Sequence, residues 1–82
     1  MITGAQIRCA RHALRWTVRE LAVHAALSVS TIKRIEVNDG IPPTTAPNLM
    51  AVHSALEAAG IEFIGTPDDG PGIRIRQTKQ SA

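Results

Sequence analysis

"LSVSTIKRIE", Leu27 to Glu36, places two isoleucines three residues apart, two adjacent cations and a run of small hydroxyl and branched residues in ten positions. Read at about 100° per residue, Thr31, Ile32 and Ile35 share one side of a helix, and Val29, Ser30, Lys33 and Arg34 gather opposite. The first side belongs in a core. The other is small in its first half and cationic in its second. A solvated helix face mixes Glu and Lys at four-residue spacing, yet no acid occurs between Glu20 and Glu36. That composition points to a polyanionic partner.

Working outward, Ser28 caps this helix, which ends near Val37 because "NDG" followed by "IPP" forbids continuation. Upstream, "TVRE" is a capping box in which Thr17 accepts from the Glu20 amide while Glu20 reaches back; Leu21 and Ala22 supply the buried side of the helix it opens. Only Ala25 to Leu27 separates the two helices, so they must cross steeply. An earlier helix is expected from about Thr3 to Arg15, with Ile7, Ala10 and Leu14 inward. A fourth carries Leu49, Val52, Leu56 and Ala59 and stops at Gly60, a C′ residue.

After Gly60 the period changes from helical to alternating. "IEFI" and "IRIR" are short β-type runs separated by "GTPDDGPG", eight residues of turn material. An antiparallel hairpin is expected, with Ile73 and Ile75 facing one way and Arg74 and Arg76 the other. The fold class is mainly α, four helices followed by a short C-terminal β-hairpin. The organisation is 1–60 helical domain, 61–77 hairpin and 78–82 flexible tail.

Composition bounds what such a chain can do. Its 82 residues are 44% hydrophobic, with one Trp, one Phe and no Tyr, which gives one domain with an aliphatic core of marginal size. The net charge of +2 conceals a segregation. Residues 1–36 carry six Lys or Arg against two acids, residues 37–72 five acids and no Lys or Arg, and residues 73–82 three cations. A basic first half suits phosphate, and the acidic middle disfavours a membrane surface.

No charged leader precedes an apolar run, and no stretch approaches the roughly 20 apolar residues of a membrane span. The expected compartment is the cytoplasm of a prokaryote. The single Cys9 is expected to pack as a small hydrophobe. Cys9, His12, His24 and His53 lack the spacing of a four-ligand site, so no metal and no cofactor is expected. Ser28 and Ser30 have no neighbouring base with an orienting acid, and Asp68-Asp69 sits in a turn. The expectation is no enzyme.

"TVRELAVHAALSVSTIKRIE" resembles the helix-turn-helix of the phage repressor and Cro family, also called the xenobiotic response element family, over roughly residues 3 to 60. The shared features are the Thr cap, Glu-Leu-Ala, a tight turn, Ser, then Thr-Ile and Ile-Glu. The family favours glycine where this chain has Ala26 and Asn38. The resemblance implies a four-helix repressor-like domain whose helix Ser28 to Val37 lies in the major groove of double-stranded DNA. It assigns base reading to Ser28, Val29, Ser30 and Arg34. Arg34 suits the O6 and N7 of guanine, Val29 a thymine methyl, and Ser30 either a base or a phosphate. Lys33, a mobile point charge, suits phosphate. Thr17, Val18 and Arg19 at a helix N-terminus are the expected phosphate clamp, with Asn38 and Thr44 adding contacts from the loop. The family also pairs an Arg of the first helix with the Glu ending the motif, here Arg11 with Glu36.

The expected function is a sequence-specific transcriptional regulator, an autoregulatory homodimeric repressor on an inverted-repeat operator. The dimer interface is expected at Ile61, Phe63, Ile64, Ile73 and Ile75, which carry more apolar surface than a small helical body covers; an open strand edge invites a second chain. Two alternatives are an antitoxin or other interaction module with secondary DNA binding, and a small activator or controller. Their protein partners would be a toxin, an antirepressor or polymerase.

Overall fold

A computed structural model describes residues 2–76; residue 77 and the expected tail 78–82 lie outside the described residues. Four helices precede one antiparallel hairpin: α1 Gly4–Ala13, α2 Val18–Ala25, α3 Val29–Glu36, α4 Ala46–Ala58, β1 Ile61–Thr66 and β2 Asp69–Ile75. Among the described residues no helix is long and apolar enough to cross a membrane.

Every helix starts on a hydroxyl that accepts the N–H three residues on: Thr3, Thr17, Ser28 and Thr45. The "TVRE" box forms as expected, and Thr3 with Gln6 makes a second one. Two expectations about α1 need correction. It stops at Ala13, two residues short of Arg15, because Arg15 takes a left-handed φ of +60° and the Arg15 and Trp16 amides turn back onto the His12 and Arg11 carbonyls. Cys9 is exposed, since the inward positions of α1 are Gln6, Ile7 and Ala10.

The core is aliphatic. Ile7, Leu21, Ile32, Ile35, Val52, Leu56 and Ile61 are its largest fully enclosed side chains. Ile32 and Ile35 anchor α3 against α1 and α2, and cutting either to alanine would cost about 2–5 kcal/mol. Gly4 sets how closely α1 meets the end of α3: a Cβ there would run into the main-chain carbonyls of Ile35 and Asn38, and its own N–H donates to the Gly40 carbonyl at 2.9 Å.

The hairpin pairs Ile61 with Ile75, Glu62 with Arg74, Phe63 with Ile73 and Ile64 with Gly72. The expected eight-residue loop is mostly strand instead. Thr66 already pairs with Asp69, so only Pro67 and Asp68 turn the chain. Gly65 makes this possible. It sits at the register shift between Ile64 and Thr66 with φ +77°, and any side chain there would strike the Gly70 carbonyl. The Gln6 side chain bolts the hairpin to α1, its Nε2 donating to the Ile64 and Gly72 carbonyls at 3.1 and 2.8 Å.

The expected dimer face changes as a result. Ile61 is 2% exposed and belongs to the core, so it is withdrawn from any intermolecular surface. Phe63 and Ile73 pack half-buried against that core and Ile64 is also half-buried, whereas Ile75 is 62% exposed.

Candidate nucleic-acid interface

The sequence Leu21 to Ile35 folds as two helices because its apolar positions switch phase at one turn. That turn is Ala26-Leu27: Ala26 adopts φ +58°, ψ +42°, and the Ala26 and Leu27 amides close back onto the Val23 and Ala22 carbonyls. The conformation is one that favours glycine; alanine reaches it at about 1–2 kcal/mol.

On α3, Ser30, Lys33 and Arg34 are exposed, at i, i+3 and i+4, above buried Ile32 and Ile35. Two placements differ from the helical wheel. Val29, at the first position of α3, is half-buried and packs against the core, as does Leu27 just before it. Thr31 is only half-buried. Its hydroxyl lies 2.8 Å from that of Ser28, which already caps the helix through the Thr31 N–H at 3.2 Å. Ser28 is therefore committed first to the cap, while the Ser30 hydroxyl, 3.3 Å from Ser28, stands at the surface.

At the start of α2, Thr17 and Glu20 satisfy each other, and the next amides, Val18 and Arg19, have no acceptor among the described residues. Those are the orphan donors of a helix N-terminus. Val18 turns its side chain to the core while Arg19 is exposed. Asn38 spends its side-chain oxygen on the Gly40 N–H at 3.0 Å, and the Thr44 hydroxyl accepts weakly from Asn48 at 3.4 Å. The loop after α3 is thus braced internally.

The frame behind α3 is ionic. Arg11 Nε lies 2.7 Å from Glu36 Oε2 and Arg11 Nη2 2.9 Å from Oε1, a two-pronged contact with side chains 12% and 7% exposed. The hydrogen bond to Glu36 lifts the Arg11 guanidinium above its ordinary value, against the opposing pull of desolvation. Arg11 also donates to the Trp16 carbonyl at 2.9 Å, so one side chain ties the α1–α2 turn to the end of α3. Arg8 adds a bond to the Glu36 carbonyl and an exposed ion pair with Asp39 at 2.6 Å. Cations at a helix C-terminus also complement the negative end of its dipole. Trp16 stacks flat on His24, centroids 4.1 Å apart, closing the other side of the α1–α2 corner.

Charge thus divides into two populations. Arg8, Arg11, Arg74 and Arg76 each have a carboxylate. Arg15, Arg19, Lys33 and Arg34 are exposed and, among the described residues, have none. Three of these four lie within α2 and α3, and Arg15 just precedes them. Among the described residues no group of three His, Cys, Asp or Glu side chains could hold a metal ion. No protein-family model and no curated protein matches the chain.

Proposed function

We propose that this protein is a sequence-specific DNA-binding transcriptional regulator that works as a homodimeric repressor, occupying an inverted-repeat operator through α3. The observation that carries the reading is the division of cations. Among the described residues, the guanidinium groups of Arg8, Arg11, Arg74 and Arg76 are matched by carboxylates, while Arg19, Lys33 and Arg34 of the α2–α3 unit, with Arg15 just before it, are exposed and unmatched. Phosphates would supply the missing anions.

Within this reading Arg34 makes paired hydrogen bonds to a guanine, Ser30 reads an adjoining base edge, and Val29 contacts a thymine methyl with its outward edge. Ser28 acts chiefly by fixing the start of α3. Lys33, Arg19 and the Val18 and Arg19 amides clamp phosphate, with Thr17 holding that helix end open. One copy, 38 Å in its longest dimension, spans one half-site. A two-fold pair then meets half-sites about 34 Å apart, one turn of DNA.

The test is selection of a preferred duplex from random DNA, followed by titration of variants. Arg34→Ala is expected to cost about 1–3 kcal/mol and to relax preference at one base pair; Lys33→Ala weakens all sequences alike and lowers the salt slope by about one. Selection of no duplex, or equal sequence-independent losses for both variants, overturns the reading.

A further inference from the structure

The hairpin has one edge whose pattern is fully specified by its pairing. The Arg76 N–H donates to the Gly60 carbonyl at 2.7 Å, and Ile61 stands opposite Ile75. Bonded and non-bonded pairs alternate along an antiparallel ladder, so Glu62 and Arg74 exchange hydrogen bonds while Phe63 and Ile73, like Ile61 and Ile75, do not. The main-chain N–H and C=O of Ile73 and Ile75 therefore point outward from β2. Among the described residues they have no partner. Pro71, Ile73 and Ile75 share one face of this edge, and Gly72, Arg74 and Arg76 the other.

We propose that a second copy of the chain adds to this edge, antiparallel, about a two-fold axis through Ile73; this gives the homodimer of the preceding reading its interface and register. Charge disfavours the registers on the C-terminal side, and an axis through Gly72 would set Ile73 opposite Pro71, which has no N–H to offer the Ile73 carbonyl. An axis through Arg74 would set Arg74 opposite its own copy, and an axis through Ile75 would set Arg74 opposite Arg76. Like charges directly opposite oppose pairing. The one carboxylate nearby, Glu62, already serves both guanidiniums, at 3.0 and 3.1 Å.

An axis through Ile73 places Arg74 opposite Gly72 of the second copy, which presents no side chain. Arg76 then falls beside Gly70 and the exposed Asp69 of the second copy, gaining an opposite charge. On the other face exposed Ile75 covers exposed Pro71. Ile73 exchanges both main-chain bonds with its counterpart, and the Ile75 N–H reaches the Pro71 carbonyl. Pro71 has no N–H to strand at the edge. The product is a closed four-stranded sheet, ordered β1-β2-β2-β1, with no further copy to recruit through β2.

The experiment is done on the full chain without DNA, in a Cys9→Ala background. Under mild oxidation Ile73→Cys is expected to form an interchain disulfide, since facing Cα atoms in a bonded pair lie about 5.5 Å apart; Arg74→Cys and Ile75→Cys are not. In sedimentation, Asp69→Arg and Arg76→Asp are each expected to weaken dimerisation about tenfold, and the two together to recover most of that loss. Both sites are exposed, so these variants keep their helical circular dichroism even if Ile73→Cys does not fold. Preferential crosslinking at 74 or 75, no recovery in the charge swap, or a chain that stays monomeric at high micromolar concentration overturns the inference. A monomer that still selects a duplex would leave the DNA-binding reading standing; a dimer of this register that selects none would overturn that reading alone.

Discussion

The arginines of α1 and the cations of α3 are the same chemistry put to opposite use. Arg11 is held between the Glu36 carboxylate and the Trp16 carbonyl, nearly out of water. Lys33 and Arg34, on the helix that Glu36 terminates, are exposed and, among the described residues, unmatched. A cation therefore becomes structural or available according to whether an acid stands within reach. Its distance along the sequence decides nothing: Glu36 is two residues from Arg34 yet pairs with Arg11, twenty-five residues away.

The comparison breaks first, and most heavily, at Glu36. Glu36→Gln leaves the Arg11 guanidinium mostly buried without its counter-charge and is expected to lower stability by about 3–5 kcal/mol; an unmoved denaturation midpoint would mean the pair carries little. The opposite side is expected to respond in the opposite way. Arg34→Ala and Lys33→Ala should shift unfolding by no more than about 0.5 kcal/mol, as ordinary surface changes do, while altering DNA affinity. A larger loss of stability in urea titrations would make them structural too.

Between these sits the turn that orients α3. Ala26→Gly relieves a left-handed alanine and is expected to stabilise by about 1 kcal/mol, with crossing angle and cation exposure unchanged. A destabilised variant would show that the Ala26 methyl packs usefully. The smallest expected effect lies at the hairpin. The Arg76 hydrogen bond, aided by the charges of Arg74 and Arg76, holds the Glu62 carboxyl below the usual carboxylate range. Because its folded value is depressed, its contribution is present above that range and fades as pH falls through the lowered value. A carbon-detected NMR titration of the Glu62 carboxyl should show this depression, and Arg76→Gln should relieve most of it.

Much of this is legible in the amino-acid sequence. The α2–α3 unit could be read because its caps are local: Thr17 with Glu20, and Ser28 with the Thr31 amide, span three residues each. The capping box at Thr3 and Gln6 carries the same three-residue signature. The tether from Gln6 to the hairpin was not readable, since it joins residues 58 and 66 positions apart. Nor was the short turn, for "GTPDDGPG" looks like loop until Gly70 and Pro71 are seen to share the place opposite Gly65. Val29 was not readable because a wheel places it by angle alone, and at the start of α3 it packs half-buried against the core. Ile61 misled because apolar content alone does not say which side of a strand meets its own core.

Gly4 carries a consequence for how the molecule comes apart. With no side chain between them, α1 and the end of α3 are joined at van der Waals contact by the Gly4 to Gly40 hydrogen bond, then by Arg8 and Arg11 one and two turns further along. Neither helix can fray without releasing the other, so the two belong to one cooperative unfolding unit. Amide hydrogen exchange should then give α1 and α3 a common opening free energy, and, on the function proposed above, a population that no longer binds DNA should be one that has lost α1 as well, with no half-competent species between.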